Sequence, residues 1–256
     1  KRYKLLIVPY PVMMSREHVG RLIEYVRDGG TLVAEARCGW VDERGFSSPV
    51  IPGGGLDEVF GCRETELLPL AKTSAVTIAA ADEALPLLKP GDALDAVFFE
   101  EALDVFGPRS RVLATFADGK PAMVASSFGR GKAVLVGSFP GSAYHHFKNP
   151  ANGKFFAGLA DWAGVRKPVE VSIPDPDALV EGRILEGADF RILIAFNRGE
   201  RKTKASFALP GFPKDPAVRD LESGKAEAFR RDGETVVVEK EMAPGGVWTV
   251  VFEKKK

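Results

Sequence analysis

Cys38 and Gly39, closing the run TLVAEARCG, are the residues of this chain whose types most suggest covalent chemistry. A thiol on a sharp turn after a buried strand can attack a carbonyl; glycine permits the bend and a backbone N–H serves the oxyanion. Such a thiol needs an imidazole to take its proton and an acid to orient the imidazole. His145 and His146 are adjacent and late enough in the chain to be that imidazole. The spacing argues against the assignment. In a C-x-G turn the nucleophile stands two residues before the glycine, where this chain has Arg37, and Cys38 points to the other side of an extended segment. An H-x-E pattern is also missing, because Phe147 and Lys148 occupy the offsets where the acid belongs. No residue is therefore assigned as catalytic, and Cys38, His145 and His146 stand as the candidates.

The other chemistry-bearing groups are sparser. A retaining glycosidase needs two carboxyls about 5 Å apart. The adjacent pair Glu100 and Glu101 would diverge in either a strand or a helix, which predicts a solvated acidic face. Gly53-Gly54-Gly55 lacks the lysine and the flanking strand and helix of a phosphate loop. Tyr144, His145, His146 and Asn149 follow the strand-like GKAVLVGSF, at the end of a strand where open α/β sheets bind ligands. They are candidates for a sugar subsite or an interface, as are Trp40 and Asp42 at the end of an earlier strand. Neither Cys38 nor Cys62 has a metal-binding spacing, and neighbouring histidines rarely converge on one ion, so no metal and no cofactor is implied. Thirty-five basic residues balance thirty-five acidic ones, which gives no field for nucleic acid or an anionic membrane. The basic tail EKKK is expected to be solvated, no stretch approaches the roughly 18 apolar residues of a membrane span, and the cytoplasm is the default location.

The elements that must position these residues read clearly at the start. An apolar strand from Tyr3 to Pro9 leads to a helix capped by Ser15, with Val19, Leu22, Ile23 and Val26 on one face. Asp28-Gly29-Gly30 stops it, and Thr31 to Ala36 resumes as a strand, which makes a β-α-β unit with parallel strands. The continuous LLIV run predicts a strand buried on both faces and flanked by others. Between Ser74 and Val136 the period shifts towards two, and three consecutive strands are joined at Asp-Gly and Gly-Arg-Gly turns. A helix over Asn152–Ala163 follows, with Phe155, Phe156, Leu159 and Trp162 on one side. Past a linker within Val165–Pro168, short alternating strands at 8–12-residue spacing predict a small all-β sandwich. Two domains follow, residues 1–166 and 167–256.

The segments YKLLIVPYPVMMSREHVGRLIEYVRDGGTLVAEARCGWVDERG, FGRGKAVLVGSFPG and DFRILIAFNRGERKTKASFALPG resemble the accessory part of family-42 glycoside hydrolases, the bacterial β-galactosidases. The resemblance implies a flavodoxin-like, class I glutamine-amidotransferase-like parallel sheet with helices, which mediates trimerisation, followed by the β-domain. It implies a homo-oligomer, a trimer in the family, and a β-galactoside or other sugar near the α/β domain. The family's catalytic carboxylates belong to a barrel that this chain lacks. Its opening strand–helix–strand is missing too, so the chain is expected to begin part-way through a domain and to be inactive alone. Two other readings stay open: a hydrolase of amidotransferase-like or trehalose-utilisation-like type using Cys38 with His145 or His146, and a carbohydrate-binding module. The latter would use the aromatics Phe190, Phe196, Phe207, Phe212, Phe229 and Trp248 of the second domain.

Overall fold

The computed structural model describes residues 3–175 and 178–253, so the lysines of the EKKK tail lie outside the described residues. The chain divides into two compact units, Lys1–Arg166 and Lys167–Lys256.

The first unit opens with β1 (Leu5–Val8), α1 (Arg16–Arg27) and β2 (Thr31–Ala34). Ser15 caps α1 by accepting the His18 N–H at 3.2 Å, and Gly29 leaves the helix in the left-handed region at φ 100°. Next come α2 (Leu56–Phe60), β3 (Cys62–Pro69), β4 (Ser74–Ile78), β5 (Ala93–Ala96) and β6 (Phe99–Val105). β7 (Arg111–Thr115), β8 (Pro121–Phe128), β9 (Gly131–Val136), α3 (Pro140–Phe147) and α4 (Pro150–Trp162) complete it.

Seven strands form one sheet in the order β1-β2-β9-β8-β7-β4-β5. Only β1, β2 and β9 run parallel, and the other neighbours are antiparallel. This corrects the expected parallel sheet. The reason lay in the turns, since Asp118-Gly119 and Gly129-Arg130 are too short to join anything but antiparallel neighbours. β1 lies at the sheet edge with half-buried side chains, where a strand buried on both faces was expected.

Strand alternation sorts the core into two layers. Leu32, Ala34, Val124, Ala133 and Leu135 face α1 and α2, joining Val19, Val26, Leu56, Val59 and Phe60. Val33, Met123, Ala125, Val134 and Val136 face the opposite way, onto Phe155 and Leu159 of α4. β3 and β6 form a separate antiparallel ribbon with an irregularity between Glu64 and Glu66. It is tied to the end of β9 by the Glu101 N–H, which donates to Gly137 O at 2.7 Å.

The second unit contains β10 (Glu170–Ser172), β11 (Val180–Glu186), β12 (Phe190–Asn197), β13 (Thr203–Leu209), β14 (Ala217–Asp220), β15 (Arg230–Asp232), β16 (Thr235–Met242) and β17 (Val247–Glu253). They form two four-stranded antiparallel sheets, β10-β13-β16-β15 and β11-β12-β17-β14. Leu193, Ala195, Trp248, Val250 and Phe252 from one sheet share a core with Ala205, Phe207, Leu209, Val236 and Val238 from the other. The Trp248 indole N–H donates to Asp220 at 2.9 Å, which satisfies its polar atom inside that core. Of the six aromatics weighed for carbohydrate binding, Phe207, Phe212 and Trp248 are buried and Phe190 is exposed.

Candidate functional site

The chain leaving β2 carries Glu35, Ala36, Arg37, Cys38 and Gly39 past the end of the parallel strands. Glu35 is buried and ties three segments together. One carboxylate oxygen accepts the Gly141 N–H of α3 at 2.8 Å, and the other accepts the Tyr10 N–H after β1 at 3.1 Å. Burial pushes its carboxyl up, and the two N–H groups oppose that rise. Arg37 is also buried and stands in the left-handed region at φ 61°, a conformation a side chain rarely takes. Its N–H donates to Glu101 Oε2 at 2.6 Å, its guanidinium pairs with Glu64, and the Trp40 ring covers that guanidinium at 4.1 Å. Glu101 is completely buried, which corrects the solvated acidic face expected for Glu100-Glu101. Pairing of β6 with β3 is non-local, so its inward face was invisible in the adjacent-glutamate pattern.

Cys38 is buried in the core under α1 and α2, beside Leu56, Phe60 and Cys62. Ala36, two residues earlier, belongs to a different cluster with Phe139 and Ala143 of the α3 region. The thiol and α3 thus lie in separate cores. His145 and His146 sit exposed in the last turn of α3, with ring centroids 5.4 Å apart. Burial pushes both the Cys38 and the Cys62 thiols up, and the charge of Glu101 adds to the rise. A reactive cysteine needs the opposite shift. Both thiols are therefore expected to label in the folded protein at least about tenfold more slowly at pH 7 than in the unfolded chain. Rapid single-site labelling, followed by mass spectrometry, would restore the nucleophile reading.

Gly39 is held from both sides. Its N–H donates to Pro11 O at 2.7 Å, and the Gly53 N–H donates to Cys38 O at 2.9 Å. A Cβ on Gly53 would lie 2.0 Å from Gly39 O, so two backbones touch where only glycine fits. Gly53-Gly54-Gly55 serves this close approach and the packing of Gly54 on Val19.

The remaining candidates have local structural partners. Asp42 accepts the Arg44 and Phe46 N–H groups, each at 2.9 Å, and these hold its carboxyl below the usual range. Asn149 caps α4 by accepting the Ala151 N–H at 2.9 Å. Tyr144 is half exposed on α3, where a loop was expected after GKAVLVGSF; Pro140 at the start of that helix supplies the missed signal. Trp40 is 39% exposed.

Sequence reasoning missed an aromatic patch at this end of the sheet. Phe139 is buried, and the rings of Tyr10 and Phe98 pack on it at centroid distances of 5.1 Å and 5.7 Å. Phe98, His146 and Phe147 line a shallow depression beside them. Tyr10, Phe98 and Phe147 are 60%, 48% and 53% exposed. Among the described residues, the non-glycine residues with positive φ are Tyr10, Arg37, Phe98 and Lys148, of which Tyr10 and Phe98 belong to this patch. Such backbone costs on the order of 1 kcal/mol or more each and gathers at functional surfaces.

The family described as the β-galactosidase trimerisation domain matches residues 1–166. β-Galactosidase Pbg of Clostridium perfringens is 27% identical over 259 residues, which is 96% of this chain and 32% of that protein. β-Galactosidase BgaB of Geobacillus sp. is 27% identical over 147 residues, covering 56% of this chain and 20% of its own length. Gan42B, a family-42 β-galactosidase from G. stearothermophilus of known structure, aligns with a TM-score of 0.72 and 22% identity over 98% of this chain and 32% of that one. The chain therefore spans between a fifth and a third of the length of these curated relatives, and it shares its fold with part of the solved enzyme.

Proposed function

From the premise that this chain belongs to the β-galactosidase trimerisation domain family, we propose that it is the non-catalytic assembly region of a β-galactosidase-like glycoside hydrolase. In this reading the sugar-cleaving carboxylates belong to a barrel outside this chain, and the α/β unit joins copies of the protein into a trimer. The observation that carries it is the exposed aromatic patch of Tyr10, Phe98 and Phe147, in which Tyr10 and Phe98 stand on left-handed backbone. Exposed rings around a buried anchor are the composition of an interface centre. Trp40, Tyr144, His145 and His146 then border an assembly surface, while Asp42 and Asn149 hold the loop and helix beside it.

The buried carboxylates support the non-catalytic reading. Among the described acids buried in this unit, Glu35 spends both oxygens on backbone N–H groups, Asp57 is paired with Arg63 at 2.9 Å, and Glu101 faces the protein interior. None of the three is free to flank a glycosidic bond. The purified chain is expected to release no nitrophenol from a nitrophenyl β-galactoside above the buffer rate. Turnover that survives repurification and is lost on substituting an acid of this chain would overturn the reading.

A further inference from the structure

Beneath the Trp40 turn, two carboxyls and one guanidinium are largely buried. Glu101 on β6 is fully buried, and the side chains of Glu64 on β3 and Arg37 are 17% and 7% exposed. Arg37 brings the two carboxyls together, its N–H on Glu101 and its guanidinium on Glu64, and the side-chain hydrogen bond between Glu64 and Glu101 is one that two carboxyls make only with a proton between them. Glu101 Oε1 receives no donor from any other described group, which leaves it free for that proton. The charge balance agrees. Arg37 neutralises one carboxylate, so the cluster is neutral with one shared proton and carries a buried, uncompensated charge without it.

The other titratable groups do not supply the missing charge: Arg63, next to Glu64 on β3, is paired with Asp57 of α2 at 2.9 Å. Cys62 on β3 and Cys38 after β2 face Glu101 and are themselves pushed up by it. Asp104, on the same strand as Glu101, adds negative charge to this neighbourhood, and Glu100 is turned away onto the Ser74 hydroxyl. β8, which packs against β6, contributes no titratable residue.

The cluster is wired to an exposed ring. Arg37 is held in its left-handed conformation by the hydrogen bond from its N–H to Glu101 and by the ion pair of its guanidinium with Glu64. Trp40 stacks on that guanidinium at 4.1 Å, and its N–H donates to Arg37 O at 3.1 Å. We propose that the proton shared by Glu64 and Glu101 is a latch on the Arg37–Trp40 turn: while it is present the turn is clamped, and its loss to solvent base frees Arg37 and Trp40.

Burial first, and the charge of Glu64 second, push the Glu101 carboxyl up to about 8. The folded chain thus keeps a proton that the unfolded chain sheds near 4.5. The clamp holds below about 8 and opens as pH rises through it; its contribution to folding stability is complete below the unfolded value and is lost over the same rise through about 8. The latch is independent of how the chain assembles.

Incorporating 5-fluorotryptophan into the full chain gives separate fluorine resonances for Trp40, Trp162 and Trp248, with Trp40 assigned by its loss in Trp40→Phe. The Trp40 resonance is expected to shift with a single midpoint near about 8, while the other two stay constant. Glu101→Gln should abolish that midpoint, because its amide still accepts from Arg37 and donates to Glu64 at every pH. A Trp40 resonance that is constant between about pH 6 and about 9.5, or one whose midpoint persists in Glu101→Gln, would overturn the latch. If Glu101→Gln does not fold, Glu64→Gln takes its place: loss of the midpoint supports the latch and persistence overturns it.

Discussion

Gly53→Val is expected to lower the stability of the α/β unit by about 3 kcal/mol or more, a fall of roughly 10 °C in Tm. The new Cβ would meet Gly39 O at 2.0 Å and Gly39 C at 3.0 Å, and both atoms are backbone. No rotamer change relieves such a clash, so the turn after β2 must move away from the loop that carries Gly53. That motion also stretches the Gly53 N–H bond to Cys38 O, now 2.9 Å. Gly20→Ala is the matched control. Its Cβ would have nothing within 4 Å, and it lies in α1, where alanine adds up to about 1 kcal/mol of helix preference. Thermal melts by circular dichroism should move in opposite directions for the two variants. A Gly53→Val chain that melts with the wild type would show that the turn is not built on this contact.

Phe98→Asp combined with Phe147→Asp is expected to weaken self-association at least about a hundredfold. Aromatic anchors at the centre of an interface typically contribute about 2 kcal/mol or more each, and a buried aspartate adds an unpaired charge in their place. The fold itself should be spared. Both side chains are about half exposed, and aspartate tolerates the left-handed backbone of position 98, at φ 70°, better than phenylalanine does. Sedimentation velocity on the variant should therefore show monomer at concentrations where the wild type is assembled, with an unchanged melt. Assembly that persists in the double variant would place the contact on another face.

Much of the architecture was readable in advance because its signals are local. Ser15 and Gly29 bracket α1 with the residue types that caps require, and the Asp-Gly and Gly-Arg-Gly turns mark β7, β8 and β9. Those same turns carried the antiparallel half of the sheet, which the β-α-β opening masked. Phe155 and Leu159 faced the core as their helical spacing required. The site was less legible. Cys38 read as out of register with Gly39, and nothing nearby revealed that Gly53 would close on that turn from the far side of a loop. The Glu64–Glu101 pair joins residues on strands that meet through long-range pairing, and the left-handed backbone of Arg37 has no glycine to announce it. The aromatic patch was hidden for a similar reason. Tyr10 after β1, Phe98 after β5, and Phe139 and Phe147 after β9 come from three separate segments, which the sheet order alone gathers at one end.

Sedimentation equilibrium of the wild-type chain tests the assembly role most directly. The account predicts a concentration-dependent mass that rises to three times 27.6 kDa. A mass that stays at 27.6 kDa up to high concentration would contradict it.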